Sequence, residues 1–392
     1  MTGNNILYDH IASGLSELDL QIVKSVPEGG NWTNIPESVP SQRIAQIREM
    51  AAERGGVVRT TYYGRLKRTK PSYTISTYFN RPGNGCNIHY EQDRTLSIRE
   101  AARLQSFPDH VRFFGPQGAK RKQIGNAVPP LLGRAIGSIL PSGSKIADTF
   151  CGAGGLTLGL EMAGHVVTAA MDNDKHAAIS YKASHPNAEF VLGDAHSSSV
   201  IDHFVDIARG VDVVVGGPPC QGWSYAGWHN RSDKRNDLVW RFLDIVSAIG
   251  PRHFVMENVQ GLQWMAKGAA LNSVLAAADA IGYDVRWFTL NAADFGVPQK
   301  RNRVFLLGSK RGDAELLEKP HPIFTSKLPS DLLEYVTVED AIGDLPRLEP
   351  GQGVEEALWM GVGSSPYAKW SSCLVSFEEM VQEYRAAQKM GA

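Results

Sequence analysis

The chain has 392 residues, of which 43% are hydrophobic and 21% charged, with a formal net charge of −1. That fits a globular protein of one large and one smaller domain, and the near-neutral balance does not by itself announce a polyanionic partner. No apolar run approaches the ~20 residues of a membrane helix, and the four scattered cysteines (Cys86, Cys151, Cys220, Cys373) lack the spacing of a zinc site or a disulfide framework.

The first residues, Met1-Thr2-Gly3-Asn4-Asn5, have neither the basic region nor the apolar core of a signal peptide, so a reducing cytoplasm is the expected compartment. Residues 1–90 mix an amphipathic stretch, Gln42–Arg54, with short β-rich pieces. Between Arg43 and Lys70 eight basic residues (Arg43, Arg48, Arg54, Arg59, Arg65, Lys67, Arg68, Lys70) stand against Glu49 and Glu53, interleaved with Tyr62, Tyr63 and Tyr73. Such a patch fits phosphate contacts with rings packed on sugar or base; a solvated helix face followed by a hairpin fits it equally. Residues 313–392 are broken by Pro320, Pro322, Pro329, Pro346 and Pro350. Neither flank is expected to hold a large core alone, and the two are expected to combine into one small domain.

From residue 145 to about 310 strand-like and helix-like segments alternate. Strands are expected at Lys145–Phe150, His165–Met171, Val211–Val215, His253–Met256, Asp284–Leu290 and Arg303–Leu307, with helices at Leu156–Ala163 and Asp237–Ile249 between them. This alternation predicts a mostly parallel, doubly wound α/β sheet, whose ligands bind at the carboxyl ends of the strands. Pro141-Ser142-Gly143-Ser144 reads as a linker leading into the first strand.

Several segments carry chemistry. Phe150-Cys151-Gly152-Ala153-Gly154-Gly155-Leu156 is a glycine-rich turn from strand to helix, where a ligand can lie against backbone amides, although its spacing is neither a GxGxxG nor a phosphate loop. Asp172, about twenty residues on, sits where an acid accepts ribose hydroxyls, and Asp194 closes the next strand near the place of an adenine ring. Pro218-Pro219-Cys220-Gln221 presents a lone thiol past a buried strand, a candidate nucleophile, although a packed structural thiol is the commoner fate of a free cysteine. Glu257 ends an apolar strand, which can hold a carboxyl protonated; it can equally cap the next helix. Arg301 and Arg303, spaced by two on an expected strand, point to one face and suit a pyrimidine carbonyl, a phosphate or a structural ion pair.

Together these segments resemble the C5-cytosine DNA methyltransferases. Phe150–Gly155 matches the family's cofactor motif, Pro218–Gln221 its nucleophile motif, Glu257-Asn258-Val259 its glutamate motif and Gln299–Arg303 its arginine motif. Two further matches lie upstream, Arg94–Pro108 and Gln123-Ile124-Gly125-Asn126-Ala127-Val128-Pro129-Pro130. In most members these two come last; here they precede the cofactor motif, so the chain reads as circularly permuted at the Pro141–Ser144 joint.

The resemblance implies a mixed, doubly wound sheet of the S-adenosylmethionine-dependent methyltransferase type. It implies a catalytic domain over 120–312 and a split target-recognition domain over 1–119 and 313–392. The implied catalytic set is Cys220, Glu257, Arg301 and Arg303, with Arg301 holding the base and Arg303 ordering the Cys220 loop. For S-adenosyl-L-methionine it is Phe150, Gly152, Gly155, Leu156, Asp172, Asp194, Pro219, Leu238, Asn126 and Val128. No metal is expected. The implied substrate is double-stranded DNA with the target cytosine flipped out, contacted by a loop over Gln221–Trp240 bearing Arg231, Lys234 and Arg235. The expected setting is a monomer without a membrane, paired with a restriction endonuclease in bacterial restriction–modification. The rivals are a transfer-RNA methylating relative, disfavoured by the large flank, and a catalytically dead DNA-binding copy, disfavoured by the intact Cys220, Glu257 and arginine pair. A nicotinamide-dependent oxidoreductase fails on its fingerprint glycines.

Overall fold

The computed structural model describes residues 6–53, 55, 61–219, 237–312, 315–327, 330–359, 361 and 363–391. The chain divides into two compact units. One comprises Ala127–Phe295 and Arg301–Ile323; the other comprises Met1–Asn126, Gly296–Lys300 and Phe324–Ala392. These boundaries differ from 119/120 and 312/313: the Gln117–Asn126 helix and residues 296–300 belong with the flanks.

The first unit is built on seven strands: β1 (Lys145–Thr149), β2 (Val166–Asp172), β3 (Glu189–Leu192), β4 (Val213–Gly216), β5 (His253–Val259), β6 (Tyr283–Asn291) and β7 (Asn302–Lys310). Their order in the sheet is β3-β2-β1-β4-β5-β7-β6. The first five run parallel and β7 is antiparallel to both its neighbours, so the sheet is doubly wound and mixed. Six helices accompany it: α1 (Pro130–Gly137), α2 (Gly155–Met162), α3 (Lys175–Ser184), α4 (Ser198–Ile207), α5 (Asp237–Ile249) and α6 (Ala269–Ala280). Apolar residues recur at helical spacing on α5, and Val239, Phe242, Leu243 and Val246 enter one core with Phe204 of α4, Val274 of α6 and sheet residues such as Val214 and Met256. A separate cluster joins Tyr181 of α3 to Cys151 and Ala170.

The chain runs β1 to β3 in one direction and returns through β4 and β5 in the other, so the direction reverses between β1 and β4. There the register pairs Thr149 with Gly216, and Gly216 with Met256 on β5. A Cβ on Gly216 would come 2.2 Å from Thr149 Oγ1, so only glycine lets these two strands close at their carboxyl ends. Most expected strands are shifted or longer by a few residues, and two of these changes bear on the site. β4 begins at Val213 and β5 continues to Val259, which places Glu257 inside the strand opposite Phe305 rather than beyond its end. Arg301 lies just before β7, so the two arginines do not share the strand as expected.

In the second unit the strand Ile6–Ile11 pairs antiparallel with Gly353–Leu358, joining the first and last stretches of the chain. The N-terminal flank, not expected to hold a large core alone, gathers a small cluster of its own. Ile44, Ile47 and Ala51, on one face of the Gln42–Glu53 helix, pack with Ile22, Val23, Val26, Trp32, Ile35 and Ile88. Three residues of the basic patch are engaged in internal ties. Buried Arg65 donates to the carbonyls of Val23, Val26, His89 and Gln92 and to Asp93, Arg48 donates to the Ile35 carbonyl, and Arg68 pairs with Glu28. Arg54 and Arg59 lie outside the described residues.

The Arg94–Pro108 segment is a buried clasp. Ser97 and Glu100 form a capping box on the Ile98–Leu104 helix, and Arg94 grips Glu100 with two bonds of 2.7 and 2.6 Å. Arg99 donates to the Tyr8 and Val111 carbonyls, while Arg103 pairs with Asp109 and Asp344. Segments far apart in sequence are thereby held to one helix.

Gly159 of α2 lies against α1, where an added Cβ would meet Pro130 O at 2.2 Å, whereas at Gly118 nothing lies within 4 Å. Gly159→Ala is therefore expected to lower unfolding free energy by about 1–3 kcal/mol in urea titration, and Gly118→Ala to leave it unchanged or raised by up to about 1 kcal/mol.

Candidate active site

Because β1, β4 and β5 end in register, the turn after β1, the loop after β4 and the last residues of β5 lie along one edge of the sheet. The turn after β1 holds left-handed backbone at Phe150 (φ 55°), Gly152 (φ 56°) and Gly154 (φ 85°), the last of which is the N-cap of α2. Glycine is required at 154 twice over, since a Cβ there would also strike His185 Nε2 at 2.4 Å. Gly155 and Leu156 open α2 and are buried. Nothing stands within 4 Å of the Cβ position of Gly152, so the backbone is open to a ligand there.

Asp172 ends β2. One carboxylate oxygen accepts the Gly152 N–H and the other the Asp174 N–H, each at 2.8 Å. Burial nevertheless holds its carboxyl above the usual carboxylate range. Asp194 is exposed; it accepts the His196 N–H at 3.0 Å, its carboxylate lies 2.7 Å from His196 Nδ1, and these bonds hold its carboxyl below the usual range. Phe150 packs against the main core, as does Leu238 of α5. Val128 is buried just ahead of α1, and Asn126 is the exposed last residue of its helix in the other unit.

After β4 come Gly217, buried Pro218 and exposed Pro219; Cys220 lies outside the described residues, as do Arg231, Lys234 and Arg235. The three described cysteines are poor nucleophiles. Burial pushes Cys86 up to about 12 and Cys373 up to about 11, and Cys151 is raised by burial and by Asp148 and Asp172.

Glu257 Oε1 meets Arg303 Nε at 2.8 Å, with side chains 12% and 13% exposed, which leaves a narrow opening to the pair. The register explains the pairing: Glu257 faces Phe305, so Arg303 is its diagonal neighbour on the same face. Arg303 thus engages the glutamate directly. Burial raises the Glu257 carboxyl although Arg303 and Arg301 both pull it down. Arg301 is itself depressed by burial and by the like charge of Arg303. Desolvation wins at this site, and a carboxyl there keeps a proton more readily than one in water.

Three further features escaped the sequence reading. Asn258 Nδ2 donates to Pro218 O at 3.1 Å and so ties the loop after β4 to β5. Gly217 leaves room for the glutamate, since a Cβ there would come within 3.1 Å of Glu257 Oε2. Gln299 is fully buried in the other unit, accepting the Ile75 N–H and donating to Leu104 O and Gln105 Oε1. A run of five polar residues gave no signal that its first member is a buried anchor.

Asp148, 1% exposed on β1, accepts a hydrogen bond from Thr157 Oγ1 at 2.6 Å and is pushed up to about 7 by burial. A carboxyl raised in the folded chain stabilises it below the unfolded value, and that stability is lost as pH rises through the folded value. A rise of about three units corresponds to about 4 kcal/mol, lost between about pH 4 and pH 7. In Asp148→Asn this part of the pH dependence is expected to vanish from urea unfolding curves.

A family model, C-5 cytosine-specific DNA methylase, matches residues 19–141 and 144–386. The chain is 32% identical over 258 residues to the Type II methyltransferase M.DdeI of Desulfomicrobium norvegicum, covering 63% of this chain and 60% of that protein. It is 37% identical over 223 residues to M.AgeI of Thalassovita gelatinovora (52% and 51% covered) and 38% identical over 214 residues to M1.HphI of Haemophilus parahaemolyticus (52% and 54%), both also Type II methyltransferases. The matched stretches therefore span between 51% and 60% of the length of these relatives. With nearly its whole length matched, the chain belongs to the C-5 cytosine-specific DNA methylase family.

Proposed function

We propose that the protein is a DNA (cytosine-5-)-methyltransferase that acts on a cytosine flipped out of a specific duplex sequence. The observation that carries this reading is the raised, partly accessible Glu257 carboxyl beside the Pro218-Pro219 loop, on the same sheet edge as the open glycine turn. The cofactor set fits S-adenosyl-L-methionine: a left-handed turn with free space at Gly152 and an acid at the end of β2 that accepts the Gly152 N–H. Phe150, Gly152, Gly155, Leu156, Asp172, Asp194, Pro219, Leu238, Asn126 and Val128 are the proposed holders. The bound cofactor supplies an electrophilic methyl group.

Cys220, as thiolate, attacks C6 of the cytosine; a sulfur–carbon bond forms and the C5=C6 electron pair becomes available at C5. Glu257 donates a hydrogen bond at N3 and accepts one from the exocyclic amine, which stabilises the charge that develops on the ring. Arg303 orients Glu257, and Arg301 holds the base. Once C5 carries the methyl group, its proton leaves to solvent, the C5=C6 bond re-forms and the thiolate is expelled. Base flipping costs a few kcal/mol, which contacts from Arg231, Lys234 and Arg235 to phosphates offset.

Residues 1–119 and 313–392 form the target-recognition domain on this reading, split by a circular permutation. Support comes from the two matched stretches meeting at 141 and 144, the linker itself, and from residues 1–119 and 324–392 falling in one compact unit, although 313–323 fall in the other. Among the described residues no helix is long and apolar enough to cross a membrane. A cytoplasmic monomer paired with a restriction endonuclease completes the proposal.

Incubation with labelled S-adenosyl-L-methionine and mixed DNA, followed by bisulfite mapping, is expected to show 5-methylcytosine in one fixed sequence context. No label in DNA, with label appearing in a parallel incubation with transfer RNA or in neither, overturns the reading. Cys220→Ala is expected to cut transfer on the order of 10³-fold or more while keeping DNA affinity. Glu257→Gln is expected to lose about 10²-fold in turnover with cofactor affinity intact.

A further inference from the structure

In the second unit the Gln117–Asn126 helix carries neighbouring cations with different fates. Lys120 is buried and saturated, its Nζ donating to Asp9 at 2.7 Å and to Glu355 at 2.9 Å. Arg121, the next residue, has no acid partner among the described residues; its bonds are to neutral oxygens, Gln117 Oε1 at 3.2 Å and Ser13 Oγ at 3.5 Å. One helical turn on, Gly125 lies against the backbone of the Ser76–Thr77 segment, where an added Cβ would come 2.6 Å from Thr77 N and 2.8 Å from Ser76 O. Positions 121 and 125 share a helix face, so Arg121 stands beside the turn that begins at Thr77. That turn is closed by the Arg81 N–H donating to Tyr78 O at 3.0 Å, and the Arg81 guanidinium lies 5.3 Å from the centre of the exposed Tyr78 ring. Arg81 is exposed and also has no acid partner among the described residues. Burial, and then the charge of Arg81, pull the Arg121 guanidinium below its ordinary value.

Other guanidiniums of this unit are matched by acids: Arg94 by Glu100, Arg103 by Asp109 and Asp344, and Arg112 by Glu356. Two cations held side by side without an acid repel each other, and a bound anion removes that cost. Both are also held in place beforehand, one by the Tyr78 ring and the other by Gln117 and Ser13, so little side-chain freedom is lost when an anion arrives. Planar guanidinium forks match the paired oxygens of a phosphate. The site is open, with Arg81 and Tyr78 in solvent, which suits a phosphate carried on a long polyanion rather than a small enclosed ligand. We propose that Arg81 and Arg121 together grip a phosphodiester of the duplex and anchor it without reading its sequence. This rests on the methyltransferase reading. Phosphate contacts fix the register of a protein on DNA and carry no base information, so the pair sets affinity and leaves the choice of site to other residues.

The test is fluorescence anisotropy of two labelled duplexes, one carrying the methylated sequence context and one of scrambled sequence, titrated with the full chain from about 50 mM to about 300 mM salt. Arg81→Ala and Arg121→Ala are each expected to make the slope of log affinity against log salt shallower by about 1. That corresponds to about a tenfold loss of affinity near 0.1 M salt, equal on the two duplexes, so that their ratio is unchanged. Arg81→Lys and Arg121→Lys keep the charge and are expected to keep the slope. Should Arg121→Ala not fold, Arg121→Gln keeps a polar stem without the charge, and the same shallower slope is expected. Arg209→Ala removes an exposed arginine ahead of β4, where it pairs with Asp206, and is expected to change neither slope nor affinity. With native protein that methylates DNA, an unchanged slope in the alanine variants, a loss confined to the target duplex, or an equal loss in Arg209→Ala overturns the proposal alone. A native chain that neither binds duplex DNA nor methylates it overturns the methyltransferase reading and the proposal with it.

Discussion

The pairing of β1 with β4 at the point where the sheet reverses direction governs what the site can be. Thr149 and Gly216 face each other with no space for a side chain at 216, and Met256 continues the same level onto β5. Strands that end together deliver their following residues together. The glycine turn, the Pro218-Pro219 loop and the Glu257-Asn258 pair are therefore neighbours by construction, although more than a hundred residues separate the first from the last. Asn258 then fixes the middle element to the third through the Pro218 carbonyl.

Burial outweighs pairing at both ends of this edge. Glu257 has a 2.8 Å ion pair and a second arginine nearby, yet its carboxyl is raised. Asp148 has a hydrogen bond and acid neighbours, and is raised as well. Charged groups in the same protein behave differently where geometry is tighter. Glu100, fully buried, is gripped at two points by Arg94 and is held below the usual range. The clasp around Glu100 serves the fold, and Glu257 becomes a site carboxyl only on the proposed function.

The alternation of apolar strands and amphipathic helices made the sheet legible, most clearly at a short β-branched run such as Val213-Val214-Val215 with turn residues at its end. Strand ends were less so: His253–Met256 was expected where β5 reaches Val259, since the polar Glu257 and Asn258 hide their place in a ladder. Side-chain fates were least legible. Arg65 and Gln299 look like surface residues in sequence, and only the carbonyls and amides brought to them by distant segments make them anchors. The same holds for Ile44, Ile47 and Ala51, whose partners Trp32 and Ile88 come from chain that reads as irregular. Local pattern announces an element; it does not announce what that element will meet.

The central claim is that Cys220 attacks the cytosine ring. A duplex carrying 5-fluorocytosine tests it directly, because fluorine cannot leave C5 as a proton does, so the thiolate cannot be expelled once the methyl group is in place. With S-adenosyl-L-methionine present, the predicted result is a protein–DNA complex that survives denaturing electrophoresis, with the cross-link mapped by mass spectrometry to the peptide containing Cys220. A complex that persists in Cys220→Ala, or maps to another residue, or its absence on DNA that the enzyme methylates, would contradict the account.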